Sequence, residues 1–432
     1  MMRPKRPTSH WSTRCSTPEN TFMFLHHDDT PLRILLLGVL TCGALACGED
    51  QSADQPDAGH LSDTPAPDPY DTLPEQPWLL TEHGHYSVGY AFESLIYTPR
   101  GPQEAPREIT ISIWHPTFDT EGRAARYLNV LNAPDVLQDA SVAIRDSDPA
   151  PLMIFSHGNG SFSIQSYFFA EYLASHGFVV IAPDHKGNTF SDTGGAVRLE
   201  STVYRPQDMS AVLDWVEQLP ADHPLHGKTS RDKIAISGHS LGGFTTLATT
   251  GASIDLAAVT AGCTAGTISQ RICEIFEADN AAIFGEGFLD ARFQASLPMT
   301  PAGSEVFLPG IANITIPTLV WTAGQDLTLP NPDEGDPLWE GMAGQDHVRI
   351  DIANAGHFTF SNLCELLAPA VPEFQNDGCG EDNMAYEEAF EIINAYSLAF
   401  LRKHLDGASE YDAMLAGDSP MSDALLFERK PD

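Results

Sequence analysis

The sequence predicts an α/β protein: a mostly parallel central sheet with helices on both faces. Three observations carry this. Residues 152–155, 178–181, 234–237 and 318–321 are short, continuous apolar runs, the pattern of strands buried on both faces. Helical periods lie between them, with Ile164, Phe168 and Tyr172 stepping by four and Met209, Val212, Leu213, Val216 and Leu219 by three and four. The connections are short, and strand-helix alternation of this kind builds a parallel sheet.

The remaining elements follow from the same periods. Ile109, Ile111 and Ile113 alternate with Thr110 and Ser112, a half-buried strand. Val348, Ile350 and Ile352 form a last strand, and a long helix over 382–404 closes the chain. In such sheets ligands sit at the carboxyl ends of the strands, so the chemistry should lie in the loops that follow them.

At 432 residues and 42% hydrophobic, the chain has apolar material for one large domain. Its 23 Lys and Arg against 59 Asp and Glu give a net charge of −36. A nucleic-acid binder needs a clustered positive surface, so that class is excluded.

The first 77 residues differ from the rest. Arg33 precedes the apolar run Leu35-Leu36-Leu37-Gly38-Val39-Leu40, and small residues lead to Cys47. Residues 1–47 therefore read as a signal or lipoprotein leader, with Met23 a candidate initiator. The Ala44-Leu45-Ala46-Cys47 stretch resembles a bacterial lipobox, although Leu45 stands two residues before the Cys rather than three. The expectation is an exported chain, either lipid-anchored at Cys47 or secreted. Residues 48–77 carry eight acidic groups and no Lys or Arg. That composition cannot offset its ordering entropy, and it predicts an extended, disordered tether. The remainder, 78–432, holds 18 basic and 48 acidic groups, close to −30. Four cysteines fall there, and Cys263/Cys273 with Cys364/Cys379 is the simplest of the three possible connectivities in an exported protein.

The motifs then assign candidate roles. Gly238-His239-Ser240-Leu241-Gly242-Gly243 follows a predicted strand and opens a helix, the G-x-S-x-G context that exposes a nucleophilic serine. Serine needs a base to take its proton, and the base needs an orienting acid. Asp326 lies just past the strand at 318–321, and His357 lies on the loop past the last strand. His347 precedes its strand and belongs at the opposite edge. Asp333, Asp336 and Asp346 are alternative candidates for the acid, but they sit in a Pro- and Gly-rich loop that reads as solvated charge, and the Asn331 to Asp336 stretch reads as solvated rather than as a calcium site. An oxyanion needs aimed N–H donors. Leu241, after the nucleophile, is one candidate. Asn159, in Ser156-His157-Gly158-Asn159-Gly160, is the other, with His157 a structural brace of that loop.

With Leu173-Ala174-Ser175-His176-Gly177-Phe178 and Ala182-Pro183-Asp184-His185 added, these motifs resemble the α/β-hydrolases around platelet-activating factor acetylhydrolase, the dienelactone hydrolase-like proteins and the bacterial polyester hydrolases. The likeness runs from about Gly84 to His404. It implies the α/β-hydrolase fold and a serine carboxylesterase with no cofactor or metal, acting on a small-molecule or lipid ester as a monomer. It supports Ser240, Asp326 and His357 as a triad with Leu241 and Asn159 as oxyanion donors. Dienelactone hydrolases proper use a Cys nucleophile, and Ser240 excludes that subtype. A peptidase or amidase on the same triad, and a non-catalytic surface binding protein on the fold, are the alternatives. Residues 252–312 form an insertion-like segment rich in Phe, readable either as a lid or acyl wall or as ordinary core.

Overall fold

The protein is described from a computed structural model covering residues 68–430, apart from 75, 102–104, 194–200, 277–280, 345 and 368–370. The leader, Cys47 and residues 48–67 of the tether lie outside the described residues.

Eleven strands are present among the described residues: β1 (Ser87–Tyr97), β2 (Arg107–Thr117), β3 (Ala124–Tyr127), β4 (Leu131–Gln138), β5 (Ala150–Ser156), β6 (Val179–Pro183), β7 (Thr229–His239), β8 (Ala295–Met299), β9 (Thr318–Ala323), β10 (His347–Ile352) and β11 (Leu425–Arg429). They form one sheet in the order β11-β10-β9-β8-β7-β5-β6-β2-β1-β4-β3. The run from β6 to β10 is parallel throughout. Antiparallel pairs flank it, β2 on β6 at one side and β11 on β10 at the other.

The continuous apolar runs are buried on both faces because alternate residues of each strand enter different cores. Met153 and Phe155 of β5, Val180 of β6 and Trp321 of β9 join one core with helices α1 (Tyr167–Ser175) and α4 (Tyr386–Asp406). Leu152, Ile154, Ile181 and Ile236 face the other way, onto helix α2 (Ser201–Glu217). Helix α3 (Leu241–Thr250) heads a third cluster beside it. Trp321 is fully buried and donates its indole N–H to Ser397 at 3.1 Å, so the ring's large apolar area is gained without an orphaned polar atom.

The structure differs from expectation in three places. The long helix does not close the chain, because β11 follows it and pairs with β10 at the sheet edge. The tether does not stay extended to residue 77. Pro69–Thr72 is a short 3-10 helix, Tyr70 meets Phe118 edge-on at 4.8 Å, and the Arg145 guanidinium lies 4.1 Å over the Tyr70 ring while pairing with Asp68 at 2.9 Å. An aromatic anchor and a cation overcome the local acidic composition.

Residues 252–312 are also not a single inserted segment. They contain β8, which fills the centre of the sheet between β7 and β9. Phe284, Phe288 and Phe307 are buried in the third cluster with Phe276 against it, and Phe293 is buried in the second. The aromatic richness of the segment is therefore core. Short helices, Leu256–Ala265 and Gln270–Ile275, are joined by the Cys263–Cys273 disulfide, and Cys364–Cys379 forms the second bridge. No helix among the described residues is long and apolar enough to cross a membrane.

Candidate active site

Ser240 occupies the turn between β7 and α3 at φ 59°, ψ −118°, a backbone conformation that costs a non-glycine residue about 1–3 kcal/mol. The surrounding glycines explain how the turn can be this tight. A Cβ on Gly238 would meet the Gly242 carbonyl at 2.4 Å, and one on Gly242 would lie 1.9 Å from the Ser156 carbonyl. The Ser240 N–H is secured on the Met299 carbonyl at 2.9 Å, so β8 holds the strained turn from one side. That contact explains why the sheet strand inside 252–312 matters to the site.

Asp326 follows β9 and His357 follows β10. Because those strands are parallel neighbours with Ala323 opposite Ile352, their loops leave the sheet side by side. His357 Nδ1 lies 2.7 Å from Asp326 Oδ2, with both side chains almost completely buried. The other carboxylate oxygen of Asp326 accepts the Leu329 N–H at 2.6 Å. Such a pair holds Nδ1–H on the acid and leaves Nε2 as the basic nitrogen, which suits proton transfer from a hydroxyl. His347 begins β10 opposite Thr318, at the far end of the same strand. Asp336 pairs with Arg349 at 2.6 Å, and Glu334 accepts the Gly303 and Ser304 N–H groups. The acidic loop is thus engaged in structural contacts as well as facing solvent. No group of three or more His, Cys, Asp or Glu among the described residues is placed to hold a metal ion.

Ser240 and His357 line one cavity of about 310 Å³ with Gly158, Asn159 and Gly160. Its apolar wall consists of Phe162, Phe190, Phe358, Leu363 and Phe374. None of the lining residues comes from 252–312, so the lid or acyl-wall reading of that segment is not supported by the pocket. Leu241 is the first residue of α3, whose N-terminal N–H groups lack intrahelical acceptors. The positive end of that ten-residue helix favours an anion beside Ser240.

Two hydrogen-bonded systems brace the site, and the sequence alone disclosed neither. In the first, the Gly158 N–H donates to Gln165 Oε1 at 2.7 Å, the Gln165 amide meets His239 Nδ1 at 2.8 Å, and His239 Nε2 lies 2.8 Å from the His357 carbonyl. The Gln165 carbonyl is occupied by Gly158, so its NH₂ group faces Nδ1, and His239 must carry its proton on Nε2. Burial, and then the charge of His357, push the His239 pKa well below its usual value, consistent with that neutral tautomer.

The second system lies behind the loop of Asn159. Arg205 of α2 is fully buried and donates to the His157 carbonyl, to Ser156 Oγ at 3.1 Å and to Asn188 Oδ1 at 2.5 Å; Asn188 in turn donates to Asn159 Oδ1 at 2.9 Å. His157 is buried beside it, with Nδ1 on the Gly158 carbonyl and Nε2 accepting the His185 N–H, the bracing place expected of it. Ser156, His185 and Asp208 form a further Ser-His-Asp series, with spacings of 2.8 and 2.9 Å. All three are sealed from solvent, so this series cannot meet a substrate. Burial and Arg205 push the His185 pKa down to about 3. Burial alone would raise Asp208, but the bidentate Arg107 and His185 hold it at about 2. His239 is legible in sequence only as the variable position of the serine motif, and Gln165 and Arg205 carry no local signal.

Comparison with known proteins places the chain among hydrolases. Residues 153–370, just over half of the chain, match the family model described as the Alpha/beta hydrolase family. Platelet-activating factor acetylhydrolase of Cavia porcellus is 31% identical over 144 residues, covering 24% of this chain and 33% of that protein. Cutinase est1 of Thermobifida alba is 24% identical over 249 residues, 57% of this chain and 58% of the other. The chain therefore spans between a third and somewhat over half the length of these relatives. A solved ferulic acid esterase from Streptomyces cinnamoneus superposes with a TM-score of 0.57 over 80% of this chain and 97% of its own, at 20% identity, which is a likeness of fold.

Proposed function

The chain belongs to the alpha/beta hydrolase family, and on that premise we propose that it hydrolyses carboxylic esters through Ser240, His357 and Asp326. The observation that carries the reading is the buried 2.7 Å contact of His357 with Asp326, on a cavity shared with a serine on a strained strand-to-helix turn. His357 takes the Ser240 proton, and Ser240 Oγ attacks the ester carbonyl. The amides of Leu241 and Asn159 receive the developing oxyanion. His357 then protonates the leaving alcohol. Water repeats the sequence on the acyl-enzyme, releasing the acid and regenerating Ser240.

The names of the relatives, an acetylhydrolase, a cutinase and a ferulic acid esterase, support an ester rather than an amide substrate. The apolar cavity wall supports a neutral acyl group. Two disulfides support export, with lipid anchoring at Cys47 as the proposed attachment. Ser240→Ala should fold normally, lose hydrolysis of short p-nitrophenyl esters and no longer take a fluorophosphonate label. Hydrolysis retained in that variant, or amide turnover exceeding ester turnover in the wild type, would overturn the ester reading.

A further inference from the structure

We propose that Asp377 is a positioning residue that locks the loop of Asp326 to the loop of His357. The inference rests on the roles just proposed for that pair. The acid and the histidine leave different strands, so their 2.7 Å separation depends on two loops keeping register. One buried carboxylate spans both. Asp377 Oδ1 accepts the Leu327 N–H at 2.9 Å and the His357 N–H at 2.9 Å, and Oδ2 accepts the Thr328 hydroxyl at 2.7 Å. Leu327 is the residue after Asp326. A single oxygen therefore fixes the backbone of the histidine itself and the backbone one residue past its acid.

Asp377 is only 5% exposed, and its own segment is held on the His357 loop at four points. A Cβ on Gly356 would meet the Gly378 nitrogen at 2.4 Å, so the two backbones are in direct contact. Thr359 donates its hydroxyl to the Gly378 carbonyl at 3.0 Å. The Cys364–Cys379 disulfide closes the segment, and Phe374 within it packs at a tilt on Phe358 with ring centroids 4.2 Å apart. The carboxylate is thus carried on a clamped support. The same support contributes Phe374 to the cavity wall.

Asp377→Ala and Asp377→Asn are to be compared in the full chain. The readouts are kcat, KM, thermal stability and the downfield proton resonance of His357 Nδ1–H. Asp377→Ala should lower kcat by about 10- to 100-fold with KM nearly unchanged, the scale of a small misplacement of reacting groups. Its Nδ1–H resonance should broaden or vanish. Asp377→Asn keeps Oδ1 as acceptor and can donate to Thr328, so it should retain most of kcat and the resonance. A folded Asp377→Ala with wild-type kcat and resonance, or one that loses only thermal stability, would overturn the proposal. Should Asp377→Ala fail to fold, Thr328→Val removes one of the three donors and carries the same test. Faster exchange of the Nδ1 proton is then expected, and unchanged exchange overturns the proposal. The resonance needs no substrate. If it depends on Asp377 while no ester is hydrolysed, the positioning role stands and the ester reading falls.

Discussion

Gln165 and His239 meet at 2.8 Å in the lining of the cavity, and this contact joins the loop of Asn159 to the backbone of His357. Both side chains are buried, so neither can turn to water if the other is removed. Gln165→Leu leaves the Gly158 N–H and His239 Nδ1 without partners. The expected cost is about 1–3 kcal/mol for each orphaned group, read as a lower urea midpoint. An accompanying fall in kcat of roughly 10-fold or more is expected if Asn159 supplies an oxyanion donor.

Ser240→Gly should separate stability from activity. Glycine adopts φ 59° without penalty, releasing about 1–3 kcal/mol of strain against about 0.5–1 kcal/mol of added chain entropy. The variant should be inactive yet melt at a higher temperature than Ser240→Ala. A lower melting temperature for Ser240→Gly than for Ser240→Ala would show that the turn stores no strain.

Acid should destabilise the fold well above the usual carboxylate range. His157, His185 and His239 are fully buried, and burial lowers the pKa of each from 6.5. For groups depressed in the folded state, the unfolded chain binds more protons below its own pKa. Their stability contribution is therefore complete above 6.5 and is lost as pH falls toward the folded values, about 3 for His185. Three such groups give a slope of up to about 4 kcal/mol per pH unit. Asp208 adds a second window below 3.8, extending to about 2. Urea midpoints at pH 7, 6 and 5 test the first window, and equal midpoints would exclude it.

Phe190 and Phe162 line both the Ser240 cavity and a neighbouring one of about 370 Å³. Phe190→Ala should merge the two spaces. The ratio of kcat/KM for long-chain over acetyl esters should rise by about 10-fold or more, the scale of one to three kcal/mol from added apolar contact. A panel of p-nitrophenyl esters of increasing acyl length reads this directly.

The domain from residue 78 carries close to −30 of the chain's −36. A field of that sign should favour cationic and neutral esters over anionic ones in kcat/KM. The preference should shrink as ionic strength rises from 0.01 to about 0.15 M, where the screening length falls from about 30 to about 8 Å. A preference independent of salt would locate it in direct contacts instead.

The α/β class, the strands at both edges of the candidate loops and the motif around Ser240 were legible because each is a local pattern. A buried strand needs only a run of apolar residues, and the serine turn needs glycines at fixed offsets. The pairing of His357 with Asp326 was legible one step further, through the rule that loops follow strand ends. β8 was not legible. Its Ala-Ser-Leu-Pro-Met sequence contains a proline and no β-branched residue, and only its place between β7 and β9 makes it a strand. The ordered start at Asp68 was likewise hidden, because Tyr70 finds Phe118 and Arg145 only in space.

By itself, the sequence determined the class of sheet, the disulfide-compatible cysteines, the excess of negative charge and the identities of the three residues proposed for catalysis. Tertiary structure decided what holds those residues at working distance. Arg205 and Asp377 act across separations of 20 to 50 residues, through hydrogen bonds to backbone groups of other loops, and Gln165 reaches the His239 side chain across 74. Such bonds leave no periodic trace in the chain. They depend on the direction and burial of a polar group, and both exist only once the sheet has brought its loops together.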